Sequence, residues 1–116
     1  MNVYNCMIEL KSDAKALAFS TAVQQWMSHL QRQGMIVGWR LMRRKFGLSS
    51  SSHCDFMIEI EVGGLTQLDQ AFLALSGSDD ESEQLYDQMH QMIGRADIGL
   101  YRIFPDPAYR ERIALI

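Results

Sequence analysis

His53-Cys54-Asp55-Phe56-Met57-Ile58-Glu59-Ile60-Glu61-Val62 sends Cys54, Phe56, Ile58, Ile60 and Val62 to one side and His53, Asp55, Met57, Glu59 and Glu61 to the other. A strict period of two residues is the signature of a β-strand. One face is apolar and the other mixed, with Met57 set among charges. An antiparallel sheet built from such strands packs one face on a core and presents the other to solvent, a partner subunit or a ligand chamber.

The segments before this strand repeat the pattern. From Val3 to Lys11 the chain alternates Tyr4, Cys6, Ile8 and Leu10 against Val3, Asn5, Met7, Glu9 and Lys11, a first strand. Ser12-Asp13 offers an N-cap, and Ala16, Phe19, Val23, Trp26, Met27 and Leu30 recur at spacings of three and four, which predicts an amphipathic helix from about Asp13 to Gln33. Gly34 then stops it. Met35 to Phe46 reads as a second strand, with Val37, Trp39, Leu41 and Arg43 in one phase and Ile36, Gly38, Arg40, Met42 and Arg44 in the other. Gly47 to Ser52 connects it to the third strand as a hairpin.

Beyond Gly63-Gly64, the spacing Leu65, Leu68, Phe72, Leu75 predicts a second helix ending at Ser76-Gly77. Ser78-Asp79-Asp80-Glu81 matches a capping box, and a third helix follows, carrying Leu85, Met89, Met92 and Ile93 inward and ending at Gly94. Ile98 to Phe104 is a last short strand, broken by Pro105-Asp106-Pro107. Residues 105–116 form a C-terminal tail whose Tyr109, Ile113 and Ile116 are available to pack on the body.

The order β-α-β-β-α-α-β is the ferredoxin-like split βαβ arrangement with its second helix divided in two, an α+β fold with a four-stranded antiparallel sheet and its helices on one face. The uncovered face collects Asn5, Met7 and Glu9, then Arg40, Met42 and Arg44, then Asp55, Met57 and Glu59. One methionine per strand makes a soft apolar layer between charged rims.

Composition agrees with a single domain spanning residues 1–116. At this length, with 47% hydrophobic and 22% charged residues, the chain suits one compact core. A net charge of −3 gives no global attraction to nucleic acid or an anionic membrane. The N-terminus lacks a basic segment followed by an apolar run, and no apolar stretch is long enough to span a bilayer, so the expected location is the cytoplasm. Cys6 and Cys54 form no Cys-x-x-Cys pair, and His29, His53 and His90 fall on three elements. Buried reduced thiols and no metal site are expected.

Gly38-Trp39-Arg40-Leu41-Met42-Arg43-Arg44-Lys45, Phe56-Met57-Ile58-Glu59-Ile60-Glu61, Leu68-Asp69-Gln70-Ala71-Phe72 and Leu100-Tyr101-Arg102-Ile103-Phe104-Pro105-Asp106-Pro107 resemble a small bacterial family of unknown function within the dimeric α/β-barrel superfamily. The resemblance implies that two ferredoxin-like subunits pack their open sheet faces into a barrel, giving a homodimer with a chamber able to hold a small organic ligand. The superfamily includes stress-responsive barrel proteins, quinol-type monooxygenases and haem-degrading enzymes. Haem-degrading members use an Asn on the first strand, a Trp and a helical His. Asn5 and His90 lie on elements of that type, whereas Trp39 lies on the second strand and points inward, and no cofactor is expected.

Three readings follow: a stress-response-like barrel binding a small organic molecule, a cofactor-independent monooxygenase acting on an aromatic or quinol-like substrate, and a structural homodimer without a pocket. Whether the chain is an enzyme stays open. His53, Asp55 and Asn5 are the candidates for proton handling, His53 and Asp55 because a His-carboxylate pair on one strand face can orient a base. Glu9, Arg40, Met42, Met57, Glu59, Tyr101 and Arg102 are candidates for a chamber lining. Glu9 and Glu59 are read either as paired carboxylates or as members of an ion network with Arg40 and Arg44. Alternation splits Arg40, Arg43, Arg44 and Lys45 between two faces, which suits an edge strand guarded against pairing better than a nucleic-acid patch.

Overall fold

The computed structural model describes residues 2–45, 54–77 and 80–105. Four strands, β1 (Asn2–Leu10), β2 (Gly38–Arg43), β3 (Phe56–Val62) and β4 (Ile93–Arg102), make one antiparallel sheet in the order β2-β3-β1-β4. Three helices, α1 (Ala16–Arg32), α2 (Leu65–Ser76) and α3 (Asp80–His90), complete the α+β architecture, with the strand order of a ferredoxin-like fold. His53, Ser78, Asp79 and the tail residues Tyr109, Ile113 and Ile116 lie outside the described residues.

The core forms where the apolar phase of each strand meets the apolar stripe of α1. Ile8, Phe56, Ile58, Ile60 and Val62 are buried with Phe19, Ala22, Val23, Trp26, Met27 and Leu30, and Tyr4, Cys6, Leu10, Trp39 and Leu41 pack around them. Phe19 and Phe56 meet with ring centroids 5.2 Å apart, joining helix to sheet. Both described cysteines are free, Cys54 buried and Cys6 partly so. Gly34 adopts φ +73°, and the N–H groups of Gly34 and Met35 bond the carbonyls of Gln31 and Leu30, the paired bonds of a Schellman cap.

Four expectations need correction. Helix α1 begins at Ala16, not Asp13: the Ala14 N–H bonds the Lys11 carbonyl in a separate turn, and Lys15 caps the helix without a side-chain bond. Strand β2 is shorter than expected, Gly38 to Arg43. Strand β4 starts at Ile93, because β1 pairs along its whole length and Gly94 fits into a bulge opposite Glu9 and Leu10 instead of ending α3. Helix α2 faces inward through Leu68, Ala71 and Leu75, while Leu65 and Phe72 lie exposed at the flanks of that stripe.

Helix α3 is joined to α1 by the Trp26 and Tyr86 rings, 5.6 Å apart, and by a polar pair. His29, buried in α1, stacks on Trp26 and places Nε2 2.7 Å from the Ser82 Oγ. Burying a polar pair is tolerated when each satisfies the other.

Candidate functional site

The register of the three left-hand strands turns the open face into a lattice of rows. Met7 pairs with Met57, and Met57 pairs with Met42, so the three methionines form one continuous row across β1, β3 and β2. The neighbouring row is Gly99, Asn5, Glu59 and Arg40, and the next is Tyr101, Val3, Glu61 and Gly38. Asp97 extends the methionine row onto β4. Side chains opposite one another across an antiparallel pair lie within contact range, so each row acts as a unit.

Charged partners flank the methionines. Arg40 places both Nε and a terminal nitrogen on Glu59 Oε2, at 2.9 and 2.7 Å. Arg95 reaches Glu9 at 3.6 Å and Asp97 at 3.7 Å. Asp55 accepts the Leu10 N–H at 3.2 Å and lies 3.7 Å from Arg44. These are exposed or half-exposed pairs, which fix side-chain directions more than they add stability.

Glu9 and Glu59 are therefore not neighbours. Glu59 stands opposite Asn5 and Arg40, whereas Glu9 stands opposite Arg95, and each carboxylate has its own guanidinium. Tyr101 and Arg102 diverge as well. Tyr101 pairs with Val3 on the open face, and Arg102 points to the helix side, where its Nε donates to Asn2 Oδ1 at 2.7 Å. Of the candidate lining residues in the described segments, Asn5, Glu9, Arg40, Met42, Asp55, Met57, Glu59 and Tyr101 thus share one face, and Arg102 does not.

Tyr101 and Asn5 lie on neighbouring rows of that face. The Tyr101 ring folds back over Gly99, the residue paired with Asn5. An exposed apolar row with a few convergent polar groups is the composition of ligand-binding surfaces. Cys6 lies beneath, on the helix side, and burial pushes its thiol up to about 11, which keeps it protonated and unreactive at neutral pH. His90 is remote from the open face, stacked on Tyr86 at the end of α3 with centroids 3.7 Å apart. Among the described residues no three His, Cys, Asp or Glu side chains gather to hold a metal ion, and no helix is long and apolar enough to cross a membrane.

Sequence reasoning did not find the His29–Ser82 pair, whose members lie 53 positions apart. Nor did it find a cavity of about 640 Å3 at one end of the sheet, where Lys11 joins Arg43, Arg44 and Lys45.

A four-stranded β2-β3-β1-β4 sheet with three helices places the chain in the ferredoxin-like α+β class, and solved structures agree. A dimeric ferredoxin-like protein of unknown function from Jannaschia sp. CCS1 superposes with a TM-score of 0.65 at 8% identity, over 88% of this chain and 98% of that one. The hydroxynitrile lyase of Passiflora edulis gives 0.65 at 11% identity, over 90% and 94%. SnoaB, a cofactor-independent oxygenase from Streptomyces nogalater, gives 0.59 at 10% identity, over 90% and 96%. The chain itself belongs to the family of unknown function DUF6614, whose profile matches residues 1–116. A comparison with curated proteins finds no match.

Proposed function

We propose that two copies of the chain, each acting as a single domain, pack their open sheet faces into an α/β barrel and bind a small organic molecule in the chamber between them, in the cytoplasm and in a stress-response-like role. The observation that carries this reading is the in-register row of Met7, Met57 and Met42 on the face opposite the one where the described helices pack. Methionine is flexible and polarizable, so such a row adapts to a partner surface or to ligands of varied shape. Asn5 and Tyr101 supply the polar groups that orient a ligand. The dimeric state of the Jannaschia protein supports the assembly.

A second reading, a cofactor-independent monooxygenase acting on an aromatic or quinol-like substrate, is favoured by the similarity to SnoaB. In that case Asn5, with Asp55 and His53, would handle the proton. A third is a structural homodimer whose methionines pack the barrel shut.

Sedimentation followed by a thermal-shift screen separates these readings. A homodimer whose melting temperature rises with an aromatic or quinol-like compound is expected, since a ligand at a hundred times its Kd adds about 2.7 kcal/mol to the folded state. Oxygen uptake with that compound selects the monooxygenase. A folded monomer at micromolar concentration overturns the barrel, and a dimer indifferent to every compound leaves the structural reading.

A further inference from the structure

The positive charges of this acidic chain are unevenly placed. Of 11 lysines and arginines, Lys11, Arg43, Arg44 and Lys45 line one cavity of about 640 Å3. They come from two segments, Lys11 directly after β1 and the others from the last residue of β2 onward. Pairing of both strands with β3 brings those ends together. Strand phase divides Arg43 and Lys45 from Arg44, yet all three line the cavity at the end of β2, where the Arg44 N–H still bonds the Asp55 carbonyl.

Asp55 is the carboxylate in this lining, and both its oxygens are engaged, one by the Leu10 N–H and one by Arg44. Among the described residues of the lining, four cations accompany this one carboxylate. The connection from residue 46 to residue 53 contains no Asp or Glu, and Asp13, in the adjacent turn, is exposed and outside the lining. Ala14 and Ala16 bring the start of α1 to the cavity, and the first turn of that helix carries no acidic residue, so its dipole adds to the positive field. Leu10 and Phe56 add apolar lining beside the cations, with the Arg43 guanidinium 5.7 Å from the Phe56 ring centre.

We infer that this cavity binds a small organic phosphate monoester, the dianion held by Lys11, Arg43, Arg44 and Lys45 and the apolar body against Leu10 and Phe56. Its volume falls within the range of small-molecule sites, roughly 300–1,000 Å3. Lys11 and Arg43 by themselves carry the two positive charges that a dianion requires, and arginines offer the planar donor fork that phosphate oxygens accept. The site lies at the end of the sheet, apart from the methionine row, and stands or falls independently of the barrel.

Titration of the isotope-labelled full chain with phenyl phosphate, inorganic phosphate and benzoate, followed through its amide resonances, tests the assignment. Saturable shifts at Lys11, Ala14, Ala16 and Phe56 are expected with phenyl phosphate, at an affinity at least about tenfold above either other probe. The double variant K11A/K45A should weaken phenyl phosphate by at least about tenfold while its amide spectrum stays that of a folded chain, and Lys11→Ala alone by about threefold. Arg32→Ala, at the far end of α1, should bind as the parent does. The proposal is overturned by shifts that do not saturate, by equal binding of benzoate, or by an Arg32→Ala variant as weak as the double variant.

Discussion

The ring of Tyr101 lies back along β4 over Gly99, where a β-carbon would stand 2.9 Å from its Cε2. Tyr101 is exposed, so a ring displaced from this position has open space to enter. Gly99→Ala is expected to swing the ring away from residue 99 while costing about 1 kcal/mol or less, the usual range for a surface change that relieves its own clash. Calorimetry and the aromatic resonances of Tyr101 check both halves. A loss of several kcal/mol would show instead that the ring is fixed by the fold.

Ser82→Ala removes the hydroxyl that faces buried His29. Gln33 remains 3.2 Å from the same ring nitrogen, so the cost is expected at the lower end for a buried polar group, about 1–2 kcal/mol. Urea denaturation reads this as a lower midpoint with an unchanged slope. No change in midpoint would mean that the pair does not hold α3 to α1.

Met57→Lys places a charge in the middle of the methionine row. If two such faces meet, the variant should remain folded and dissociate, weakening the dimer by at least about tenfold, or about 1.4 kcal/mol. Sedimentation across a concentration series measures it. An undisturbed dimer would move the interface to another surface.

Cys6 sets a pH limit. Its thiol is raised by burial to about 11 from the ordinary 9.0, so between those values the folded state retains a proton that the unfolded state has released. The stability associated with the protonated thiol is complete below the unfolded value and is lost as pH rises through the folded one. The loss amounts to roughly 2–3 kcal/mol, and Cys6→Ala should lack it. Denaturant melts of parent and variant at pH 8 and pH 11 give the comparison. At pH 8 the same thiol should resist alkylation until the protein is unfolded.

Local periodicity carried most of the fold. The alternation in β1 and β3, the α1 stripe and the Gly34 stop are each written within a dozen or so neighbouring residues, and burial of one face enforces the register that alternation implies. Strand β4 was harder to read, because Gly94 and Gly99 interrupt its pattern and Ile98 and Leu100, on its helix side, are 58% and 47% exposed. Hydrophobicity therefore did not reveal which way Tyr101 and Arg102 pointed. The methionine row was visible as one methionine per strand, but its alignment depends on strand pairing. Lys11 meeting Arg43 to Lys45, and His29 meeting Ser82, depend on tertiary structure alone and left no mark on any local window.

The methionine row belongs to three strands at once, and this sets which changes the chain can absorb. Replacing Met7, Met42 or Met57 alters one tile of the surface and leaves its neighbours in place. Inserting a single residue into β1 or β3 rotates everything beyond it by half a pleat, which drives methionine into the core and sets Ile8 or Ile58 outside. Descendants of this sequence should accordingly exchange these methionines for other apolar side chains while keeping the number of residues in each strand constant.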